Sequence, residues 1–448
     1  MADGRKRRPP ASQHGSAPRP RPETSRSGQR PRGPRPERDA GRPPQRRSRR
    51  PLTREEALAH QEHLAELRQR EQESRELAKG PLDLPFLVLV VLLCGIGLIM
   101  LLSASFPSAY YESGNAFSYF YRQGIFAVMG LAAMGMISKI NYQRFRALRK
   151  PLLVLSVVLL ILVLIPHNPI AITRNNATRW LGIPNTALQF QPSEVAKLAV
   201  VIYFAEDIAK KKDKMQTFWE GIVPYACILL ALGGLVGLEP HLSGAILIMG
   251  AGAVMMLVGG INWAWVGAAV GGVAAMGYLV LFVIGYNTSR ITYWLNPWAD
   301  AQGKGYQLSQ SLLTIGSGGL LGTGLGKSRQ KFLYLPEEHN DFIFAIVCEE
   351  LGLIGAMVIM CLFAALILRG YWIALHARDR FGSLLVVGII TLIGLQTFLN
   401  IGVVTGLLPT TGISLPFFSY GGTALSIQLA EMGVVLSVSR QMKPTKAG

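Results

Sequence analysis

Ten apolar segments follow one another between residues 86 and 439 of the 448-residue chain. Several approach the roughly 20 residues that a helix needs to cross the hydrocarbon core of a bilayer. Apolar runs of this length are typical of membrane helices, so the pattern predicts an all-α polytopic membrane protein with about ten transmembrane helices. The segments are residues 86–103, 123–139, 151–166, 192–209, 221–238, 243–260, 262–286, 342–369, 381–405 and 415–439.

Two of the connecting segments are long. Residues 167–191 join the third and fourth apolar segments, and residues 287–341 join the seventh and eighth. A loop of more than about 15 residues is uncommon in a compact domain and often carries function. The longer loop contains Trp298, Tyr306 and Phe332, so we expect it to be structured and partly buried against the helices.

The net charge of +18 is concentrated in residues 1–50, which contain sixteen Lys or Arg residues and four acidic ones. Such a segment buries too little apolar surface to offset its ordering entropy, so it is predicted to be a disordered basic cytoplasmic tail. Residues 51–80 carry a capping-box pattern at Thr53 and Glu56, which predicts a charged helix before the first span. A basic tail beside hydrophobic spans favours anionic membrane lipids over nucleic acid as its partner.

The positive charges of the short loops predict the orientation of the chain. Lys and Arg cluster in alternate loops and at the C-terminal end, whereas residues 104–121 contain neither. Since positively charged loops stay in the cytoplasm, both termini are predicted to be cytoplasmic, including the tail 441–448, and the two long loops to face outward. The basic loops are residues 139–150, 210–214 and 369–380.

An acidic cluster lies where the longer loop re-enters the membrane. The apolar run beside Asp341 is expected to raise the pKa of its carboxyl group, which suits a general base. Capping of the next helix by Asn340 or Asp341 is an equally simple interpretation of the spacing. Glu349 and Glu350 continue the acidic character about two turns deeper, and acids inside a membrane are usually functional, which favours catalysis.

A second polar group surrounds the start of the fourth apolar segment. Glu194 and Lys197 are three residues apart, so they can pair on one helix face. An ion pair in the membrane is costly unless it is satisfied or used, which leaves a structural pair and a functional site both open. Upstream, Arg174 and Arg179 lie near Trp180, a combination that suits a diphosphate near the headgroups.

The glycine-rich stretch from Gly316 to Gly326 is followed by Lys327 and Ser328, as in a phosphate-binding loop. That motif requires a glycine where this chain has Leu321, so nucleotide binding is not predicted. The glycines instead predict tight turns and close backbone packing.

These motifs resemble the SEDS family (shape, elongation, division and sporulation), and the likeness covers residues 85–440. It rests on ATRWLGIP with QPSEVAKLA, the run from NPWAD to KFLYLPE, HNDFIFAIVCEELG, and LPTTGISLPFFSYGG. The chain departs from the family pattern at four positions: Asn340 replaces a common threonine, His241 and Ser243 the aspartate and glycine of E-P-D-L-G, and Thr411 the lysine of some relatives.

The resemblance implies a peptidoglycan glycosyltransferase that polymerises lipid II at the outer face of the cytoplasmic membrane. The family's essential aspartate falls on Asp341, which would take the proton of the acceptor's 4-hydroxyl as that oxygen attacks the donor's anomeric carbon with inversion. Cations would stabilise the departing undecaprenyl diphosphate. The candidate substrate-binding residues are Arg179, Trp180, Gln191, Glu194, Lys197, Lys331 and His339.

The resemblance also implies partners and a location. They are a class B penicillin-binding protein transpeptidase and other divisome proteins, at the division septum. The NPWAD and SRQKFLYLPE blocks favour division members over elongation members, whereas a sporulation member is not distinguished. Participation of a divalent cation is left open. A lipid II flippase, which ten spans and intramembrane charges also suit, and a non-catalytic scaffold are the alternatives.

Overall fold

The computed structural model describes residues 80–166, 168–174, 177–183, 189–268, 271 and 288–442. The predicted basic tail, the predicted juxtamembrane helix, most of the seventh apolar segment and residues 443–448 lie outside this part. Those predictions therefore remain predictions.

Nine of the ten apolar segments coincide with helices in the described part of the chain. These are α1 (Leu84–Ser113), α2 (Ser118–Ile137), α3 (Arg149–Leu164), α4 (Pro192–Lys211), α5 (Val223–Leu238), α6 (Leu242–Val258), α9 (Ile343–Leu375), α10 (Arg380–Val404) and α11 (Gly422–Ser439). The long loop adds α7 (Thr288–Leu295) and α8 (Tyr306–Gly318). Short 3₁₀ turns occupy Tyr142–Leu148, Lys212–Gln216 and Pro297–Asp300, and a π turn occupies Phe218–Ile222.

Seven helical stretches in the described residues are long and apolar enough to cross a membrane. They are α1, α2, α9, α10 and α11, together with α3 and α5 when each is counted with the short turn before it. Helix α6 has only 17 residues, and α4 has 20 but carries charged side chains in its first and last turns. The prediction of an all-α polytopic membrane protein is confirmed.

Helix α10 is the centre of the bundle. It packs against α4, α6, α9 and α11, and from Phe381 to Ile393 most of its side chains are buried. The peripheral helices instead expose large apolar side chains, for example Val128 at 68%, Leu230 at 65% and Leu368 at 69%. Such surfaces are favourable against lipid tails and costly in water, as expected for helices that span a bilayer.

A small antiparallel sheet forms in the shorter of the two long loops. Strands β1 (Ala171–Arg174), β2 (Ala177–Gly182) and β3 (Gln189–Phe190) are ordered β1-β2-β3, with Ile172 opposite Trp180 and Leu181 opposite Phe190. The apolar pattern did not predict this sheet. It leads directly into α4 and fixes the position of β2 residues over the start of that helix.

The longer loop is structured, as predicted, and Tyr306 is half-buried, with its hydroxyl donating to the carbonyl of Tyr334 (2.7 Å). Trp298 and Phe332 are more than half exposed. The loop is held instead by α8, which packs against α9 and α10, and in which the Ser311 hydroxyl donates a hydrogen bond to the carbonyl of Val404 (2.7 Å).

Helix α9 is broken at Gly352, where the glycine-rich stretch packs against it. Gly352 has φ 68° and ψ −173°, which is not helical. The amides of Thr323 and Gly324 donate to the carbonyls of Glu349 (2.9 Å) and Glu350 (3.0 Å), so the loop satisfies the groups that the break frees. A Cβ on Gly352 would overlap the backbone nitrogen of Gly322. The predicted role of the glycines in close backbone packing is confirmed.

The other end of the bundle is closed by ion pairs. Arg146 contacts both Glu206 (Nη1–Oε2 3.3 Å) and Asp379, and Lys210 also contacts Glu206 (2.7 Å). The Tyr142 hydroxyl donates to Asp379 (2.6 Å). These contacts join the 3₁₀ turn before α3, helix α4 and the N-cap of α10 at the end that holds the basic loops.

Replacing Gly352 with alanine is expected to destabilise the protein. The new methyl group would overlap the backbone of Gly322, and a positive φ costs a non-glycine residue about 1–3 kcal/mol. Gly95 of α1 is the matched control, because a Cβ there meets nothing within 4 Å. Thermal unfolding in detergent should show a clear loss for Gly352→Ala and little change for Gly95→Ala. Equal stabilities would contradict the close packing at the break.

Candidate active site

A cavity of about 640 Å³ opens at the end of the bundle that holds the two long loops. Its walls are the β2 strand, the first turns of α4, the segment before α9 and the segment that leads into α11. Its volume is within the range of about 300–1,000 Å³ that ligand sites occupy. Seven of the candidate residues line it: Arg179, Trp180, Gln191, Glu194, Lys197, His339 and Asp341.

The structure does not bring Lys331 to this cavity. Its side chain is 3% exposed, and its Nζ contacts Glu350 Oε1 at 3.0 Å, the Ser103 hydroxyl at 3.1 Å and the Gly326 carbonyl at 2.8 Å. These contacts tie the long loop to α1 and α9. Because Lys331 does not line the cavity, its ammonium group is placed to hold the loop rather than to bind a diphosphate there. The side chain of Arg174 lies outside the described part of the chain.

Hydrogen bonds from two directions hold the backbone of residues 339–341. The Asn400 amide nitrogen of α10 donates to the carbonyls of Asp341 (2.7 Å) and Ile413 (2.6 Å). From the segment before α11, the Ser419 hydroxyl donates to the carbonyl of residue 340 (2.7 Å), and the amide of Tyr420 donates to the carbonyl of residue 339 (2.9 Å). The position of Asp341 is therefore fixed by its main chain, which leaves its carboxylate available to the cavity.

The helix-capping interpretation of the acidic cluster is wrong. Phe342 is the N-cap residue of α9, and no side chain caps this helix. The side chain of Asn340 donates instead to Glu337 Oε2 (2.6 Å). The simplest structural explanation for Asp341 is thus removed, and the catalytic interpretation gains support.

The surroundings of Asp341 favour a proton acceptor that works near neutral pH. Burial, and then the negative charge of Glu337, raise the pKa of Asp341 from 3.8 to about 7, although Arg179 and His339 oppose this rise. At pH 7 the carboxyl group is therefore close to half ionised. A general base is most effective when its pKa lies near the working pH.

Gly412 lies against the Asp341 carboxylate. A Cβ at this position would be 3.0 Å from Asp341 Oδ2, which is tighter than ordinary van der Waals contact. The absence of a side chain at Gly412 leaves room for the carboxylate at the cavity wall.

The cationic part of the cavity is built on α4 and β2. Lys197 and Glu194 form an ion pair (2.7 Å), and their side chains are 5% and 11% exposed. Arg179 donates through Nε to the carbonyl of Glu239 (3.4 Å) and through Nη2 to the carbonyl of Pro240. Arg179 is also close enough to Asp341 to lower its pKa. Positive charge therefore lies within electrostatic reach of the candidate base.

His241 is a cavity residue that the sequence analysis treated only as a departure from the family. Its ring contacts the Gln191 amide nitrogen (3.3 Å from Nδ1). Burial, and then the positive charges of Arg179 and Lys197, lower the pKa of His241 from 6.5 to about 3. The imidazole is neutral at pH 7, so it adds no charge beside the two cations.

Other cavity residues come from elements whose sequence gave no functional signal. The ring of Tyr119 of α2 is tilted against that of His339 (centroids 4.8 Å apart) and meets Tyr420 edge to face (4.6 Å), and Arg122 lies one turn further along α2. In the part of the chain that the structure describes, no group of three or more His, Cys, Asp and Glu side chains is arranged to hold a metal ion.

Comparisons with known proteins agree on one family. Residues 84–444 match the FtsW/RodA/SpoVE family model, described as "Cell cycle protein". The chain is 42% identical over 364 residues to the probable peptidoglycan glycosyltransferase FtsW of Geobacter metallireducens. The alignment covers 81% of this chain and 96% of that relative. It is 43% identical over 359 residues to the stage V sporulation protein E of Bacillus subtilis, with 80% and 97% covered.

Solved structures show the same architecture. A chain of a peptidoglycan synthase complex, described as coordinating polymerization and crosslinking, superposes with a TM-score of 0.68 at 27% identity, and covers 80% of this chain and 98% of that chain. The rod shape determining protein RodA of Thermus thermophilus superposes with a TM-score of 0.58 at 27% identity, with 82% and 99% covered.

Replacing Asn400 with leucine is expected to destabilise the site. The change leaves the carbonyls of Asp341 and Ile413 without this donor, and an unsatisfied buried polar group costs about 1–3 kcal/mol. Gln396 is the matched control on the same helix, because in the part of the chain that the structure describes its amide donates to the Ser414 hydroxyl (3.0 Å) and not to a backbone carbonyl. Thermal unfolding should show a larger loss for Asn400→Leu than for Gln396→Met. A smaller or equal loss would contradict the proposed hold on residue 341.

Proposed function

Because the chain belongs to the FtsW/RodA/SpoVE family of cell cycle proteins, we propose that it is a peptidoglycan glycosyltransferase that polymerises lipid II into glycan strands. This membership agrees with the resemblance to the SEDS family. The observation that carries the proposal is the Asp341 carboxylate, held by its backbone at the wall of a cavity that also contains two buried or half-buried cations. Names of relatives support the reaction class, and the geometry of this chain supports the roles of its residues.

Asp341 acts as the general base. The oxygen of the acceptor's 4-hydroxyl attacks the anomeric carbon of the donor, and its proton passes to the Asp341 carboxylate. The bond between that carbon and the diphosphate oxygen breaks, so undecaprenyl diphosphate leaves with the electron pair. Attack from the face opposite the leaving group inverts the carbon and gives a β-linked glycan. A base placed in this way accelerates such a step by about 10²–10⁴-fold.

Arg179 and Lys197 stabilise the diphosphate as it departs. The guanidinium group of Arg179 is within electrostatic reach of Asp341, so it lies near the carbon that reacts. Glu194 holds the Lys197 ammonium group at the cavity wall (2.7 Å). Fixed positive charges in a site that excludes bulk water stabilise a developing negative charge more effectively than they do in water. The neutral His241 and Gln191 supply further polar contacts without opposing this charge.

The cavity faces outward, and both termini lie in the cytoplasm. The distribution of positive charge supports this orientation, since the ion-paired end of the bundle also holds the basic loops. Lipid II then reaches the cavity from the outer leaflet of the cytoplasmic membrane, with anionic lipids beside the basic loops.

The enzyme works at the division septum with a class B penicillin-binding protein transpeptidase and other divisome proteins. The relatives named FtsW support this assignment, and the similar structure of a synthase complex supports a transpeptidase partner. The Bacillus subtilis sporulation protein is equally similar, so a role in sporulation is the alternative within the family.

Replacing Asp341 with asparagine is expected to abolish polymerisation while preserving lipid II binding. The amide cannot accept the proton, so the rate should fall by at least about 10²-fold. The assay is lipid II polymerisation by the purified protein, with and without the cognate class B penicillin-binding protein. Glu112→Gln is a control, because it also removes a carboxylate from the cavity wall. Normal glycan synthesis by Asp341→Asn would refute the mechanism and favour a flippase or a scaffold.

The rate of polymerisation is expected to depend on the ionisation of Asp341. Below its pKa of about 7 the base is protonated, so the rate should fall about tenfold per pH unit and reach a plateau above that value. Glu337 raises this pKa, so Glu337→Gln should shift the acidic limb to lower pH, while the new amide oxygen still accepts the bond from Asn340. The profile of initial rate against pH tests this. A shift to higher pH would contradict the assigned electrostatics.

A further inference from the structure

A second cavity of about 490 Å³ adjoins the first. Gln307, Asp341 and Gly412 line both cavities, so the candidate base stands where the two meet. The mechanism described above uses only the first cavity. It accounts for the base and the leaving group, but it does not say where the attacking sugar is bound.

The two cavities differ in chemistry. The first carries the cations Arg122, Arg179 and Lys197, together with the carboxylates of Glu112, Glu194 and Glu337. The second has one positively charged side chain, that of the exposed Lys304, and its other lining groups are mostly aromatic rings, an amide and hydroxyl groups. Its residues are Tyr293, Trp294, Lys304, Gln307, Leu308, Asp341, Phe342, Thr410, Thr411 and Gly412.

The lining of the second cavity suits a saccharide. The C–H faces of a sugar ring pack against aromatic rings, and its hydroxyl groups pair with amides and hydroxyls that both donate and accept hydrogen bonds. Trp294 is fixed in place, because its indole N–H donates to the carbonyl of Gly406 (2.8 Å). Gln307, Thr410 and Thr411 supply amide and hydroxyl groups around it. The site therefore offers a rigid aromatic surface with several neutral hydrogen-bonding partners.

We propose that the second cavity is the acceptor subsite, which binds the saccharide whose hydroxyl attacks, while the first cavity binds the donor with its diphosphate. This assignment rests on the proposed function. It adds the location of the acceptor and the residues that select it, principally Tyr293, Trp294 and Thr411.

The stereochemistry of the reaction supports this division. Inversion requires that the attacking oxygen and the leaving diphosphate lie on opposite sides of the anomeric carbon. A donor in the first cavity directs its diphosphate to Arg179 and Lys197, and an acceptor in the second cavity then approaches from the other direction. Asp341 borders both cavities, so it is placed to take the proton of the incoming hydroxyl.

The opposite division fits the charges poorly. A donor in the second cavity would release its diphosphate beside Lys304, which is exposed to solvent and screened by it. The cations on α4 and β2 would then face the acceptor, where little negative charge develops. Gly412, at the boundary, adds no side chain between the two cavities, so the two sugars can meet beside Asp341.

Two lipid II analogues separate the subsites experimentally. The first has a methyl ether at the 4-hydroxyl, so it can donate but cannot attack. The second has a methylene group in place of the oxygen between the anomeric carbon and the diphosphate, so it can attack but cannot donate. Coupling of the two analogues by the purified full-length protein gives one defined product. Its initial rate yields a separate KM for the donor and for the acceptor.

Removing contacts from the second cavity should affect the acceptor alone. Tyr293→Ala and Thr411→Val are expected to raise the acceptor KM about fivefold to 20-fold and to leave the donor KM within about twofold. Thr411→Ser keeps the hydroxyl group and should retain the acceptor KM of the wild type. Arg122→Gln, in the first cavity, should raise the donor KM instead.

The outcomes distinguish a failure of the proposed function from a failure of the acceptor assignment. Failure of the wild-type protein to polymerise natural lipid II would overturn the proposed function itself. If the wild type is active but Tyr293→Ala and Thr411→Val raise the donor KM, or raise neither KM, the acceptor assignment is wrong. Unchanged binding of the donor analogue by both variants shows that they are folded, so a selective rise in the acceptor KM supports the assignment.

Discussion

The two hydrogen bonds from Asn400 are the interaction on which the site depends. They join the C-terminal end of the central helix, α10, to the backbone just before α9 and to the segment before α11. Loops are usually the mobile part of a membrane protein, yet a catalytic carboxylate has to be held within a fraction of an ångström of its working position. Here the rigid core supplies that position through main-chain contacts. The side chain of Asp341 consequently remains available for chemistry.

The same arrangement suits the Asp341 carboxyl group to its proposed role as a base near neutral pH. Burial removes part of the water around the carboxyl group, and Glu337 adds a negative charge on the same segment. Arg179 limits the effect, so the carboxyl group does not become permanently protonated. Arg179, which lowers the pKa of Asp341, is also proposed to stabilise the departing diphosphate. The proposed base and the proposed contact to the leaving group therefore lie in one small region.

Much of the fold and part of the site could be predicted from the sequence. The helices follow from apolar runs, whose lengths are set by the thickness of the bilayer. The β1–β3 sheet could not be predicted, because its strands have only four, six and two residues, too few for a distinct alternating pattern. Glu194, Lys197 and Asp341 were identified because charge in an apolar context stands out. Lys331 also stands out as a charge in an apolar context, but its partner is Glu350 on α9. The sequence does not show that the two side chains meet.

The remaining site residues were invisible to sequence reasoning because their roles depend on tertiary contacts. An asparagine within an apolar segment has many possible partners, and Gly412 matters only because a carboxylate packs against it. The most direct test of the account is a titration of the Asp341 carboxyl group itself, by infrared difference spectroscopy of the wild type against Asp341→Asn. The account predicts a carboxyl band that titrates with a pKa near 7. A pKa close to the ordinary value of about 3.9 would contradict it.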